Sequence, residues 1–190
     1  MAFIFHETEI PGLMIIEPHM FPDARGLYKK NYEKYIFAEH GITCEFTESS
    51  DLHSKKGALR GLHYQTVDSQ AKLIHVINGK LFDVALDLRE NSPTFGEYHA
   101  ELVDAEEHKV VFIPEGFAHG FIALTDDTVF SYQCSGRYIP KACGGIRWND
   151  PDLNIPWPLE EYGISDVKAT EKDRNWPTFV EYRKMMGIDQ

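Results

Sequence analysis

Short strand-like segments follow one another along much of this chain, separated by turn residues at roughly ten-residue intervals. Three such segments are Val110–Ile113, 121–124 and 129–134, and the turn residues 114–116 and 125–127 separate them. Many short strands at this spacing are typical of an antiparallel sandwich or barrel. Because large barrels of this kind enclose a cavity, we expect any chemistry to take place inside one.

The dipeptide Asn78-Gly79 carries the clearest turn signal. Residues 72–77 precede it and residues 80–88 follow it, and both segments read as strands. Asn-Gly suits the positive φ angles of a type I′ turn, so the pattern predicts a β-hairpin. In the second arm apolar residues alternate with Asp83 and Asp87, which predicts a half-buried strand.

Helical periodicity is confined to two short segments. These are 31–40, which is followed by Gly41, and Phe179–Met186, which is followed by Gly187. We therefore predict helices only at the periphery of the fold. Since no internal repeat, low-complexity tract or linker interrupts the chain, we treat residues 1–190 as a single domain.

The charge and the composition exclude several classes of protein. The 190 residues include 30 acidic and 19 basic side chains, a formal net charge of −11, which argues against general binding to nucleic acid or to an anionic membrane. No apolar stretch approaches the roughly 18 residues of a membrane span, and the N-terminus lacks the basic start of a signal peptide. The three cysteines are odd in number and lack ligand spacing, as is typical of reduced thiols. We therefore expect a cytoplasmic protein.

One segment departs from the acidic character of the chain. Residues 52–67 hold three cations, Lys55, Lys56 and Arg60, and no acidic residue. On charge alone such a run is either a solvated loop or a local site for an anion. The chemistry of the neighbouring residues is needed to distinguish these two interpretations.

The nine histidines raise the question of a metal site. A metal-binding barrel usually offers two or three histidines and a carboxylate, often beginning with a His-x-His pair. The sequence contains no His-x-His, His-x3-His or Cys-x2-Cys. We therefore expect no metal site, and a metal-dependent barrel enzyme remains an alternative.

Two segments bring chemically useful side chains together. Arg60-Gly61-Leu62-His63 places a guanidinium and an imidazole three residues apart, so simple alternation would send them to opposite faces. A bulge at Gly61 could turn both into one cavity. In the second segment the turn 114–116 delivers His119 to the start of a strand. Taken singly, each histidine could equally be a core residue with a satisfied ring.

Eight segments together form an ordered set of motifs. They are Phe-Pro-Asp-Ala-Arg-Gly at 21–26, Arg-Gly-Leu-His-Tyr-Gln at 60–65, Gln-Ala-Lys-Leu at 70–73, Phe-Asp-Val-Ala at 82–85, Ser-Pro-Thr-Phe-Gly at 92–96, the residues 113–120, Trp-Asn-Asp-Pro at 148–151 and Trp-Pro at 157–158. In this order and spacing they resemble the dTDP-4-dehydrorhamnose 3,5-epimerase family, from about residue 10 to residue 180. The resemblance implies an all-β, antiparallel jelly-roll (cupin-like) barrel with a few short peripheral helices.

The resemblance also implies a reaction, and one that needs neither a cofactor nor a metal. Members of the family are isomerases of deoxysugar biosynthesis that epimerise C3 and C5 of a nucleotide-linked 4-keto-6-deoxyhexose, here a dTDP-linked one. A proton leaves a carbon next to a ketone, and another returns to the opposite face. This requires a base on one side, an acid on the other, and a cation or hydrogen-bond donor near the C4 oxygen as it becomes an enolate.

The resemblance assigns the catalytic roles. It makes His63 the base, since an imidazole is mostly neutral at pH 7, and pairs it with Asp173, which the local sequence alone would place on the surface of a helix. It makes Tyr132 the acid. Phe130, Tyr132 and Cys134 share one strand face, which we expect to point inward, although Tyr132 could also be a core tyrosine. Lys72 corresponds to the residue near the C4 oxygen.

Six further residues are implied to bind the substrate: Arg25 and Arg60 at the diphosphate, His119 and Tyr138 at the sugar pocket, and Glu48 and Ser50 in a region that contacts nucleotide or sugar. The planar guanidinium suits a diphosphate well. Many relatives read Gln-Asp-Asn where this chain has Glu48-Ser49-Ser50, and often carry Glu where it has Lys30.

Two alternatives remain beside this interpretation. One is an epimerase that acts at C3 alone on a related sugar nucleotide. The other is a non-catalytic jelly roll that binds a sugar nucleotide without turning it over. Because family members are usually dimers, the resemblance also implies a homodimer.

Overall fold

The computed structural model describes residues 2–188, which form thirteen β-strands and three α-helices. The strands are β1 Ile4–Glu7, β2 Met14–Glu17, β3 His19–Asp23, β4 Gly26–Lys30, β5 Phe46–Ser54, β6 Leu59–Gln65, β7 Lys72–Asn78, β8 Lys80–Asp87, β9 Tyr98–Asp104, β10 Val110–Ile113, β11 Phe117–Ala123, β12 Thr128–Ser135 and β13 Cys143–Gly145. The helices are α1 Lys34–Glu39, α2 Glu171–Arg174 and α3 Phe179–Met186.

Two antiparallel sheets form the body of the fold. The first has six strands in the order β1-β2-β10-β7-β12-β5, and the second has five in the order β13-β6-β11-β8-β9. From β5 to β8 and from β9 to β13, each strand lies in the other sheet from the strand before it. This is an antiparallel jelly roll of the cupin-like type, so the predicted fold class is confirmed. The strands β3 and β4 form a separate two-stranded hairpin.

The main apolar core lies between the two sheets. Ile74 and Val76 of β7 face Leu81 and Ala85 of β8 there, with Phe121 of β11 in the same cluster. A second cluster covers the outer face of the six-stranded sheet beneath α1, and a third covers the outer face of the five-stranded sheet beneath α3. Because the space between the sheets is apolar, polar side chains that reach it must find partners there.

The predicted hairpin at Asn78-Gly79 is wrong. Gly79 has the expected positive φ of 79°, but β7 pairs with β10 and β12, whereas β8 pairs with β9 and β11. The turn therefore carries the chain from one sheet to the other. The local turn signal was correct, but the pairing partners of the two strands depend on contacts distant in sequence.

The interpretation of β8 as a half-buried strand is also wrong. Asp83 is 2% exposed and Asp87 is 0% exposed, although alternation favoured a solvent-facing side. Asp83 lies 2.7 Å from His119, and Asp87 accepts hydrogen bonds from Arg89. The strand is central in its sheet, so both its faces are buried and its carboxylates are satisfied by specific partners.

The helices lie at the periphery, as predicted. Helix α3 has the predicted bounds, with a capping box between Thr178 and Glu181 and Gly187 at its C-cap. Helix α1 is shorter than the predicted segment 31–40, and the short helix α2 contains Asp173, which the local sequence also places on a helix. Over residues 2–188, no helix is long and apolar enough to cross a membrane.

The buried carboxylate of Asp87 should contribute strongly to stability. It accepts hydrogen bonds from Arg89, Ser92 and Thr94. Burial opposes its ionisation, but these bonds outweigh burial and lower the pKa of Asp87 to about 2. Because the folded pKa is depressed, this contribution is present above about pH 4 and is lost as the pH falls towards 2.

We therefore expect Asp87→Asn to lower the free energy of unfolding by about 3 kcal/mol at pH 7, because Arg89 loses its partner. The difference from the parent should shrink when denaturant unfolding is repeated near pH 3. Asp166→Asn, at an exposed position, is the matched control and should change little. Equal stability of Asp87→Asn and the parent at pH 7 would contradict the role given to this carboxylate.

Candidate active site

A cavity of about 360 Å³ opens between the two sheets, within the size range of small-molecule sites. We call it the central cavity. Strands β5, β7 and β12 supply one wall, and strands β6 and β11 supply the opposite wall. Its lining residues are Glu48, Leu52, Arg60, His63, Tyr64, Gln65, Gln70, Lys72, His119, Phe121, Phe130, Tyr132, Cys134 and Tyr138.

An irregularity in β6 brings two of the predicted residues into the central cavity. His119 of β11 is opposite His63, whereas Phe121, two residues later, is opposite Arg60, three residues earlier. The extra residue in β6 lets both Arg60 and His63 line the cavity, so the predicted bulge is confirmed. Gly61 is required there, because its φ is +118° and a Cβ would lie 2.4 Å from the Cα of Gly120.

His63 and Asp173 form a close pair. Nε2 of His63 lies 2.5 Å from Oδ1 of Asp173, and the two side chains are 45% and 5% exposed. An ionised carboxylate can only accept hydrogen bonds, so Nε2 of neutral His63 carries the proton and donates it to Asp173. Its Nδ1 has no hydrogen-bond partner among the described residues and is left as the basic nitrogen.

Asp173 lies on the short helix α2 and is 3% exposed, unlike the surface carboxylate that the local sequence suggests. Burial raises its pKa, but hydrogen bonds from His63, Thr170 and Trp176 outweigh burial and lower the pKa of Asp173 to about 2. The carboxylate is therefore ionised at neutral pH. A fixed negative charge beside His63 stabilises the imidazolium that would form when the ring takes up a proton.

The opposite wall carries a phenol and an ammonium group. Phe130, Tyr132 and Cys134 of β12 all line the central cavity, as their spacing predicted. Burial raises the pKa of Tyr132, which keeps the phenol protonated at neutral pH and able to donate a proton. Lys72 of β7 lies on the same wall. Burial lowers the pKa of Lys72, while nearby groups that include Cys134 and Asp83 oppose this change.

A second histidine–carboxylate pair is buried in the wall that carries His63. Nε2 of His119 lies 2.7 Å from Oδ2 of Asp83, and the two side chains are 10% and 3% exposed. Asp83 was not predicted as a site residue, because its alternation with apolar neighbours resembled a solvent-facing position. The carboxylate fixes the orientation of the His119 ring at the cavity surface.

The remaining predicted site residues fall into two groups. Glu48 and Tyr138 line the central cavity. Ser50 lies opposite Tyr132 in the pairing of β5 with β12, and its hydroxyl donates to Glu48. Arg25 lies on the β3–β4 hairpin, where its side chain is 90% exposed and lies 2.6 Å from Asp23. Arg25 is not among the residues that line the cavity of its own chain.

No group of three or more His, Cys, Asp or Glu side chains in the described part of the chain is arranged to hold a metal ion. The nine histidines are dispersed, and the two that reach the central cavity each pair with one aspartate. That the reaction needs neither metal nor cofactor stays a prediction.

Fold and cavity together define a cupin-like jelly roll equipped for acid–base chemistry on a small polar ligand. The family model for dTDP-4-dehydrorhamnose 3,5-epimerase matches residues 7–181. The chain belongs to this family and is an isomerase, so the resemblance found in the sequence is confirmed.

Known relatives agree with this assignment. The chain is 45% identical over 179 residues to the dTDP-4-dehydrorhamnose 3,5-epimerase of Methanothermobacter thermautotrophicus, which covers 94% of this chain and 96% of the relative. It is similar to the dTDP-6-deoxy-D-glucose-3,5-epimerase of Legionella pneumophila, solved with dTDP-4-keto-L-rhamnose, at 37% identity, a TM-score of 0.87 and 93% of each chain. It is also similar to a 3'-monoepimerase from Streptomyces bikiniensis, solved with dTDP-quinovose, at 31% identity, a TM-score of 0.83 and 96% and 91% of the two chains.

Proposed function

We propose that this chain epimerises C3 and C5 of a dTDP-linked 4-keto-6-deoxyhexose, converting dTDP-4-dehydro-6-deoxyglucose to dTDP-4-dehydrorhamnose. The observation that carries the proposal is the placement of His63 and Tyr132 on opposite walls of the central cavity. Inversion at carbon requires a proton to leave one face and another to arrive at the opposite face. A base and an acid that face each other across a cavity meet this requirement without moving the sugar.

The proposed chemistry at each carbon has two steps. Nδ1 of His63 takes the proton from the carbon next to the C4 ketone, the C–H electron pair forms the enolate, and Asp173 stabilises the resulting imidazolium. The ammonium of Lys72 stabilises the negative charge on the C4 oxygen. The phenol of Tyr132 then donates its proton to the opposite face, and proton exchange with water restores His63 and Tyr132.

Binding of the diphosphate is proposed to depend on arginines. Arg60 lines the central cavity, and a guanidinium binds a phosphate oxygen pair in a planar, bidentate geometry. Arg25 is on an exposed hairpin that also exposes Phe21, Leu27 and Tyr28. We propose that the chain is a homodimer in which this apolar hairpin packs on the partner subunit. Arg25 would then bind the diphosphate at the cavity of the partner subunit.

Further proposals concern the setting of the reaction. We propose that residues 1–190 act as one domain, because strands of both sheets line the same cavity. The three cysteines, Cys44, Cys134 and Cys143, are free thiols, as is typical of a cytoplasmic protein. With a net charge of −11, the chain is proposed to bind a small anion through local cations rather than nucleic acid or a membrane.

The test follows proton exchange by NMR. Incubation of the chain with dTDP-4-keto-6-deoxyglucose in D₂O should give the epimerised sugar with deuterium at both C3 and C5. Parallel reactions with CDP- and GDP-linked keto sugars test the nucleotide, and we expect the dTDP-linked sugar to react fastest. Binding without exchange would overturn the proposal in favour of a non-catalytic sugar-nucleotide-binding protein.

A second candidate function is epimerisation at C3 alone. It is favoured by one observation, the similarity to the 3'-monoepimerase from Streptomyces bikiniensis. The same NMR experiment separates the two reactions, because a C3-specific enzyme places deuterium at C3 and leaves C5 protonated.

Loss of activity on addition of a chelator, together with stoichiometric bound metal, would instead favour a metal-dependent cupin enzyme.

A further inference from the structure

The carboxylate of Asp173 is held from more than one direction. Besides the contact with His63, its Oδ2 accepts a hydrogen bond of 2.7 Å from the hydroxyl of Thr170, and its Oδ1 accepts one of 3.3 Å from the indole N–H of Trp176. The backbone N–H of Asp173 also donates to Oγ1 of Thr170. Both carboxylate oxygens are therefore fixed by donors outside the central cavity.

Trp176 is itself fixed beside His63. Its ring fills the space over Gly145, where a Cβ would lie 2.4 Å from the indole Cε2, and Gly145 is the residue paired with His63 across β13 and β6. The rings of Trp176 and His63 meet edge to face, with centroids 6.2 Å apart. Nε of Arg147 donates to the carbonyl of Trp176. The indole is therefore packed on the strand β13, at the residue that pairs with His63.

We propose that Thr170 and Trp176 form a clamp on Asp173 and act as positioning residues for His63. This inference rests on the proposed function, in which His63 is the base, and adds the residues that set its geometry. Thr170 fixes the rotation of the carboxylate. Trp176 fixes Oδ1, the same oxygen that accepts from Nε2 of His63, so the clamp keeps Nδ1 directed at the substrate.

The hydrogen bond from Trp176 to Asp173 predicts the direction in which proton uptake by His63 changes when the indole N–H is removed. The indole N–H withdraws negative charge from Oδ1, the oxygen that stabilises the imidazolium. Without the indole donor, Oδ1 accepts a hydrogen bond from His63 only, and its negative charge interacts more strongly with the His63 ring. The imidazolium therefore becomes more stable, and its titration midpoint moves to higher pH. The other titratable or charged groups around the pair are retained in Trp176→Phe: Arg60, Lys72, His119 and Tyr132 line the cavity, and Lys172, whose Nζ lies 4.8 Å from the centre of the Trp176 ring, keeps an aromatic ring beside it.

Trp176→Phe tests the proposal, since it keeps an aromatic ring and removes the N–H. We expect kcat to fall about tenfold with KM unchanged, because a small displacement of the base is costly. We expect the NMR titration midpoint of the His63 ring, and the acid limb of the kcat/KM profile, to rise by about half a pH unit. Trp148→Phe, at another half-buried tryptophan that packs away from the cavity, should leave both unchanged.

A second pair of variants guards against a folding defect. Thr170→Val removes the hydroxyl donor and should also lower kcat, whereas Thr170→Ser keeps it and should restore activity. A His63 midpoint in Trp176→Phe that stays in place or falls, or a Thr170→Val enzyme as active as the parent, would overturn the clamp. The NMR titration needs no turnover, so it still tests the clamp if the parent protein fails to exchange deuterium into the keto sugar.

Discussion

Replacing His63 with alanine is expected to lower kcat for epimerisation by about 10³-fold, the range expected for loss of a general base. The buried carboxylate of Asp173 keeps its bonds from Thr170 and Trp176, so the fold should persist. Deuterium exchange into the substrate should fall by the same factor, because His119, the other histidine on that wall, has a side chain only 10% exposed, against 45% for His63. NMR in D₂O measures both rates in one sample.

His53→Ala serves as the control for this substitution. His53 is exposed on β5, on the six-stranded sheet rather than the wall of the base, and its loss should leave both rates near those of the parent. Epimerisation by His63→Ala at more than a tenth of the parental rate would show that another group removes the proton.

Replacing Tyr132 with phenylalanine is expected to lower kcat for epimerisation by about 10²-fold or more. The ring and its packing against Phe130 remain, and only the hydroxyl is lost. Because burial raises the pKa of Tyr132, the phenol is protonated through neutral pH, and its loss removes the proton donor of that wall. Steady-state kinetics should show the effect in kcat, with little change in KM.

Tyr35→Phe is the matched control, since Tyr35 is 77% exposed on α1 and its hydroxyl faces water. We expect parental kinetics from it. A Tyr132→Phe enzyme whose kcat is within a factor of three of the parent would exclude the phenol as the acid.

Local patterns predicted those parts of the site that depend on strand geometry. Alternation along β12 placed Phe130, Tyr132 and Cys134 on one face, and a glycine beside Arg60 and His63 indicated the bulge. The first prediction follows from the two-residue period of a strand, and the second from the β-bulge, which interrupts that period.

The sequence could not predict features that depend on distant partners. Asp173 lies 110 residues from His63 along the chain, and no local pattern marks its burial; only the family resemblance singled it out. Asp83 resembled a solvent-facing residue because alternation cannot tell a half-buried strand from one buried on both sides by other elements. The hairpin predicted at Asn78-Gly79 is wrong for the same reason, because contacts with strands distant in sequence determine which strands pair.

In the proposed reaction His63 and Tyr132 act on opposite faces of the same carbon. The measurement that tests it most directly is the ratio of deuterium exchange to inversion for Tyr132→Phe in D₂O. With the base intact and the acid lost, we predict that deuterium enters the sugar with retention of configuration, as His63 returns a solvent-derived deuteron to the face it deprotonated. Inversion in the parental proportion to exchange, or the complete absence of exchange, would contradict the assignment of base and acid to opposite walls.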